Sequence, residues 1–311
     1  MNDPHWPTAA SLLRRSTEPA ACDVGIIDIQ MRRGAITPGR CDLAPASIRA
    51  ALTRLSTYDL ASGIDLQALS FEDCGDLKVE LLSPAEAFAP ISEGVAGALP
   101  RCRSALTILG GDNSVTRPAF RGIQRHHPNC GLITLDAHLD VRETATGLNN
   151  GNPIRALLED GLSGERIVQI GIQPFANSAP YTKYARESGI AVWTINDVWK
   201  RGIGDLLDME LTRLSRICDA IYVDLDIDVL DRAFCPSAAG SRPGGLLPKE
   251  LFEAVALLGL DSNVRALDIV EHNPEHDIGD MTALAAAECI VRFAAGVAQR
   301  PTRCATPTSV V

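Results

Sequence analysis

The chain has no Cys-x-x-Cys spacing; its nine cysteines are scattered singly between Cys22 and Cys304. An odd count without that spacing supports neither a disulfide framework nor a zinc knuckle, and reduced thiols in a cytoplasmic protein are the plain expectation. Positive charge is scarce as well. Lys and Arg number 29 against 39 Asp and Glu, for a net charge of −10, and only Lys78, Lys183, Lys200 and Lys249 are lysines. That balance argues against a broad nucleic-acid surface, which needs a basic patch. The shortage of lysine reads as a genomic bias. The first twenty residues lack the apolar run of a signal peptide, and no period of about 20–50 residues announces a repeat. Residues 281–298 come closest to a membrane span, but Glu288 and Arg292 interrupt them four apart. A mostly buried helix with one internal ion pair fits better than a membrane anchor.

What is present is an ordinary globular composition, 46% hydrophobic and 22% charged over 311 residues. Short apolar runs bounded by Gly, Pro or Asp predict strands near 23–30, 78–83, 104–109, 131–137, 167–172, 190–195, 220–228 and 264–271. Helical patterns lie between them, near 46–56, 85–99, 115–126, 152–160, 178–188, 205–217, 248–258 and 281–298. Strands alternating with helices predict a parallel sheet, as a closed barrel or an open doubly wound sheet. In both, function gathers at the carboxyl ends of the strands. We expect a single domain over 1–311, with 1–20 and 301–311 as flexible tails.

Those strand ends carry acids where a core should be. "GLITLDAHLDVR" ends in Asp136, His138 and Asp140, which share one face of a strand. "AIYVDLDIDVLD" repeats the device with Asp224, Asp226 and Asp228. Buried like charges repel unless cations sit between them. A calcium loop does not explain the second run, because Val229 stands where such a loop needs glycine. An oxygen-rich site with an imidazole suits Mn²⁺ first, ahead of Mg²⁺, Fe²⁺ or Zn²⁺. The number of carboxylates favours two ions, which would acidify a water held between them. Glu271 ends the last strand, placed to grip a cationic, planar guanidinium.

Four blocks, "GGDNS" (110–114), "DAHLD" (136–140), "DIDVLD" (226–231) and "VEHNP" (270–274), resemble the ureohydrolase family of arginase, agmatinase and formimidoylglutamase. Fainter likenesses are "LAPASIRAAL" (43–52), "GNPIRALL" (151–158) and "PGGLLPKEL" (243–251). The resemblance implies the α/β arginase-like fold, a three-layer α/β/α sandwich around an eight-stranded, mainly parallel sheet. It implies that Asp136 and Asp226 bridge two Mn²⁺ ions, that His138 and Asp228 complete one, and that Asp140 and position 113 complete the other. Asp140 would also hold the bridging hydroxide and guide its proton, and Glu271 would orient the substrate. Asp224 would stand behind the ligands.

Several departures from the family pattern stand out. Asn113 stands where the family has His, Asn150 where it has a proton-shuttling His, and Arg232 where it has Pro. Asn113 would be a weaker ligand or none, leaving the ion near it loosely held. Asn149 and Asn150, in a turn-like segment, are candidates to reach substrate, and the acids that read an arginine α-amino group are missing around "GIQPFANSAP". His272 and His276 are candidates for the missing shuttle, while His126 and His127 read as helix-end residues. The expected activity is a manganese-dependent amidinohydrolase, cytoplasmic and acting on a small guanidino compound, with no nucleic-acid or membrane partner and compatible with a homo-oligomer. The resemblance is greatest to amidinohydrolases that cleave N-omega-hydroxy-L-arginine to ornithine and hydroxyurea in antibiotic biosynthesis, with arginase, agmatinase and formimidoylglutamase as alternatives. Two rivals stay open: a two-metal phosphoesterase, for which only Arg142 and Arg232 offer phosphate contacts, and a metal-binding protein with little catalysis.

Overall fold

A computed structural model of the chain describes residues 3, 5–13 and 21–301. Its main sheet has eight strands, ordered β4-β1-β5-β10-β9-β6-β7-β8, and every pairing in it is parallel. The strands are β1 (Cys22–Gln30), β4 (Phe71–Lys78), β5 (Cys102–Leu109), β6 (Cys130–Leu135), β7 (Ile167–Ile172), β8 (Ala191–Thr194), β9 (Ala220–Asp226) and β10 (Val264–Val270). A small antiparallel pair, β2 (Tyr58–Asp59) and β3 (Ile64–Asp65), stands apart. Helices cover both faces, so the sandwich is open and not a barrel. On one face pack α1 (Ala44–Ala51), α6 (Ile195–Arg201), α7 (Ile203–Leu214), α8 (Pro248–Leu260) and α9 (Met281–Ala298). On the other lie α2 (Pro84–Ala98), α3 (Thr116–Gln124), α4 (Pro153–Glu159) and α5 (Ala179–Glu187). Strands buried from both sides read as continuous apolar runs, which is why β6 and β7 show no alternation.

Several elements differ from expectation. The second sheet strand covers Phe71–Lys78 and not 78–83. Residues 195–201 form a helix where none was expected, because Thr194 and Asp197 close a reciprocal capping box that ends β8 and starts α6. Within 1–20, residues 5–13 are packed: Thr8 bridges to Ser56 and Ala9 is buried. The remainder of that segment, and 302–311, lie outside the described residues. α9 is long and apolar enough to cross a membrane, but two-thirds of it (67%) is buried inside the molecule. Its Arg292 donates to Glu288 at 2.8 Å, the expected pair. None of the eight described cysteines is in a disulfide.

Chain order and sheet order part company in the middle. β6, β7 and β8 run outward to one edge, and the chain then returns to insert β9 and β10 between β5 and β6. The four central strands thus end side by side, and each carries one of the four sequence blocks.

Candidate active site

At the end of β5 the paired glycines allow a close approach. A Cβ on Gly111 would lie 1.8 Å from the Met31 carbonyl oxygen, and one on Gly110 would lie 2.6 Å from Val270 Cγ1. No side chain fits. The bare backbone is instead stitched to both neighbours: Asp112 N donates to Met31 O (3.1 Å) and Glu271 N to Gly111 O (2.9 Å). Asp112, fully buried, then caps the turn Asn113–Val115 by accepting from Ser114 N and also takes Gly34 N at 2.9 Å. Asn113 is delivered to the centre by that anchored turn.

Asp136, His138 and Asp228 bring one ligand atom each within 4.8 Å of one another. His138 Nδ1 lies 3.0 Å from Asp228 Oδ2 and 3.4 Å from Asp136 Oδ1. Asp136 Oδ1 accepts His138 N, whereas its Oδ2 is buried without a hydrogen-bond partner among the described residues. A carboxylate oxygen sealed from water and given no proton donor is costly unless a cation faces it. That orphan, among acids and an imidazole, is the observation that fits a divalent metal. Asp226 and Asp140 adjoin the trio but stand outside its tightest grouping. Burial first, then the charge of Asp228, pushes Asp136 up to about 6. Burial followed by the charges of Asp228 and Asp136 raises Asp226, and burial with Asp136 raises Asp140.

Asn113 presents its amide in one sense. Nδ2 donates to Asp140 Oδ2 (2.8 Å) while Oδ1 accepts from Thr116 Oγ1 (2.7 Å), which also lies against the buried Asp224 and Asp268. An amide nitrogen has no lone pair to give, so this orientation turns no metal donor toward Asp140. The backbone N of Asn113 donates to Glu271 Oε1 at 2.7 Å, and Asn150 Nδ2 donates to the same oxygen at 3.0 Å. Asn150 also accepts from Ile36 N, so it braces Glu271 against the loop after β1. Glu271 Oε2 has no hydrogen bond among the described residues. Burial, then the charge of Asp112, pushes Glu271 up to about 8. Both Asp140 (φ 50°) and Glu271 (φ 68°) hold left-handed backbone, uncommon outside glycine.

A cavity of about 550 Å³ opens over these groups. The buried Asp226, Asp228 and Glu271 line it, as do the exposed Arg142 and Arg242. Asn150 reaches it; Asn149 does not, its side chain being tied to Gly151 N and Gly147 O within its own turn. His272 lies fully buried between Ser47 and Ser237 at 3.0 and 2.7 Å, lowered to about 4 by burial, and does not line the cavity, nor does His276. His126 is bonded to Ala96 O on α2. Arg232 donates to Ala238 and Ser241 carbonyls in its own loop and is no phosphate contact. Sequence reasoning passed over Asn177, which accepts from Leu139 N (2.8 Å) and donates to Ala137 O (3.1 Å), holding the Asp136–Asp140 segment in shape. It also passed over Arg242. Both sit in loops whose only signals were those of turns.

Strand ends of this order bearing these acids define a ureohydrolase. The chain belongs to the arginase family, whose sequence profile matches residues 22–296, and it is a hydrolase of amidino C–N bonds. It is 38% identical over 275 residues to a formimidoylglutamase of Halalkalibacterium halodurans, covering 88% of this chain and 86% of that one. The crystal structure of Bacillus subtilis formimidoylglutamase superposes with a TM-score of 0.93 at 28% identity, covering 97% and 95% of the two chains. Trypanosoma cruzi formiminoglutamase with Mn²⁺₂ gives 0.87 at 27%, covering 95% of this chain and 100% of that one, and an asparagine-to-histidine variant of that enzyme, also with Mn²⁺₂, gives 0.88.

Proposed function

We propose that this chain hydrolyses N-formimidoyl-L-glutamate to L-glutamate and formamide, with two Mn²⁺ ions held by Asp136, His138, Asp140, Asp226 and Asp228. One observation carries the choice of substrate: beyond Asp140, Asp226, Asp228 and Glu271, the cavity lining holds two arginines, Arg142 and Arg242, and no further acid. Arg142 lines it without a side-chain hydrogen bond or ion pair among the described residues. In formimidoylglutamate the α-nitrogen is itself part of the amidine, so no ammonium needs an acid, and two carboxylates remain to meet guanidinium groups. N-omega-hydroxy-L-arginine and arginine bring an α-ammonium for which this lining has no partner. Agmatine brings an amine that Arg142 and Arg242 repel. Similarity to formimidoylglutamases supports the same choice.

When bound, the ions supply a Lewis-acidic centre that makes water nucleophilic near neutral pH. Glu271 Oε2 accepts from the amidinium and sets its plane, while Asn113 N and Asn150 Nδ2 keep Oε1 occupied and the carboxylate from rotating. Asp140 holds the proton that leaves the attacking water and returns it to the departing nitrogen, its geometry fixed by Asn113 Nδ2. The test is a substrate panel on Mn²⁺-loaded protein: formamide release from N-formimidoyl-L-glutamate against hydroxyurea or urea release from hydroxyarginine, arginine and agmatine. An equal or higher kcat/KM for hydroxyarginine or agmatine would overturn the assignment.

A further inference from the structure

Arg242 is bonded to the histidine of the acid cluster. Its Nη1 lies 2.7 Å from His138 Nε2 and 3.0 Å from the Gly240 carbonyl. On the other side of the ring, Nδ1 faces Asp228 and Asp136. A guanidinium has only N–H groups to offer. Nε2 is therefore the acceptor, and the ring hydrogen sits on Nδ1, pointing at Asp228.

A divalent ion among Asp136, His138 and Asp228 needs the lone pair on Nδ1. A neutral imidazole has a single such lone pair, so the hydrogen then moves to Nε2. There it confronts the N–H groups of Arg242, and two donors cannot bond. Metal-bound histidines direct their second N–H at a carboxylate, carbonyl or water instead. Were Nε2 the metal donor, Arg242 would stand in the ion's place, so the conflict holds for either nitrogen. The loop carrying Arg242 is pressed onto the cluster: a Cβ on Gly240 would lie 2.0 Å from Asp228 Oδ2 and 2.8 Å from His138 Cε1. Arg242 itself is exposed and lines the cavity, so its outward path is open.

We infer that Arg242 and the metal ion compete for His138, and that loading the site releases Arg242 into the cavity as a second cation for the substrate's carboxylates. The second half rests on the anionic-substrate reading above; the first does not. Coupling of this kind is reciprocal: a dicarboxylate that engages the released guanidinium tightens the ion by the factor by which the ion tightens it.

The experiment titrates Mn²⁺ calorimetrically into chelator-stripped wild-type, Arg242→Met and Arg242→Lys proteins, without and with L-glutamate as the dicarboxylate probe. Thermal unfolding in chelator checks that the variants are folded. Arg242→Met should bind its first Mn²⁺ about three- to tenfold more tightly than wild type, the scale of one exposed charge-assisted hydrogen bond removed from the competitor. Arg242→Lys, which keeps a cation at the position, should stay nearer wild type. L-Glutamate should tighten Mn²⁺ in wild type and not in Arg242→Met. Unchanged or weaker Mn²⁺ binding by a folded Arg242→Met overturns the competition. If the Met variant does tighten while glutamate has no effect on wild type, the competition stands and the anionic-substrate reading falls.

Discussion

Replacing Asn113 with histidine tests the electrostatic layout of the site most directly. The native amide makes two side-chain hydrogen bonds, to Asp140 and Thr116, and points no donor atom at the ion that Asp140 would hold. Losing the bond to Thr116 leaves that hydroxyl still partnered by Asp268 at 2.9 Å and Asp224 at 3.2 Å, so no new orphan arises. Losing the bond to Asp140 frees Oδ2 for the metal. A ligand-shell change is worth about 10–100-fold in affinity even one layer out, so a gained imidazole should be worth at least that, roughly 1.4–2.7 kcal/mol. Against this stands the larger ring in a fully buried position, where overpacking costs about 1–3 kcal/mol. That cost falls on the protein with or without metal. Asn113→His should therefore melt a few degrees lower than wild type in chelator, at about 2–4 °C per kcal/mol, and recover or exceed wild type in Mn²⁺. Calorimetry and manganese EPR should show one tight and one labile ion in wild type, and two tight ions in the variant. Two equally tight ions in wild type, resisting dialysis against chelator, would refute the reasoning.

Asp226→Ala should lose metal and activity together; elemental analysis finding two Mn²⁺ per chain in that variant would remove Asp226 from the ligand set. Glu271→Gln should keep its metal while kcat/KM for the amidine falls about 10²-fold, the scale of a broken buried charge pair; loss of metal would instead make Glu271 a structural support of the cluster. Glu271 and Asp136 are pushed up, to about 8 and about 6, from ordinary values near 4. The folded chain thus retains protons that the unfolded chain has released, while buried His272, lowered to about 4, opposes this up to its ordinary value near 6.5; in chelator stability should therefore fall most clearly as pH rises from about 6.5 to 8. Mn²⁺ should flatten that slope, and a melting temperature that climbs with pH over the same range in chelator would contradict these shifts.

The polar residues of the site were legible in the sequence because they crowd at the ends of apolar runs. The strand period expected of them does not hold: β6 stops at Leu135, so Asp136, His138 and Asp140 lie in the loop beyond it, Asp140 in left-handed backbone, and Asp228 lies in the turn Ile227–Val229 after β9. Their adjacency was not legible from period, since it depends on the chain returning to slot β9 and β10 between β5 and β6. The edge strand β4 was misplaced for a physical reason: "FEDCGDLK" is half solvent-facing, charged and bulged at Gly75 (φ 96°), while the next residues are more apolar. Roles also shifted between neighbours. Asn149 and Asn150 look alike in sequence, but one closes its own turn and the other steadies Glu271. Arg242 gave no signal, because a guanidinium meeting an imidazole 104 positions away is a tertiary event.

The left-handed backbone at Asp140 and Glu271 sets stability and activity against each other at two addresses. An L residue with a side chain pays roughly 1 kcal/mol or more to sit there, a cost glycine escapes. A library of variants screened only for surviving heat would be drawn toward glycine at both positions. Its winners would be hardier proteins with no carboxylate to take the proton and none to hold the amidine. For this chain, a thermostability screen without an activity filter selects for inert protein.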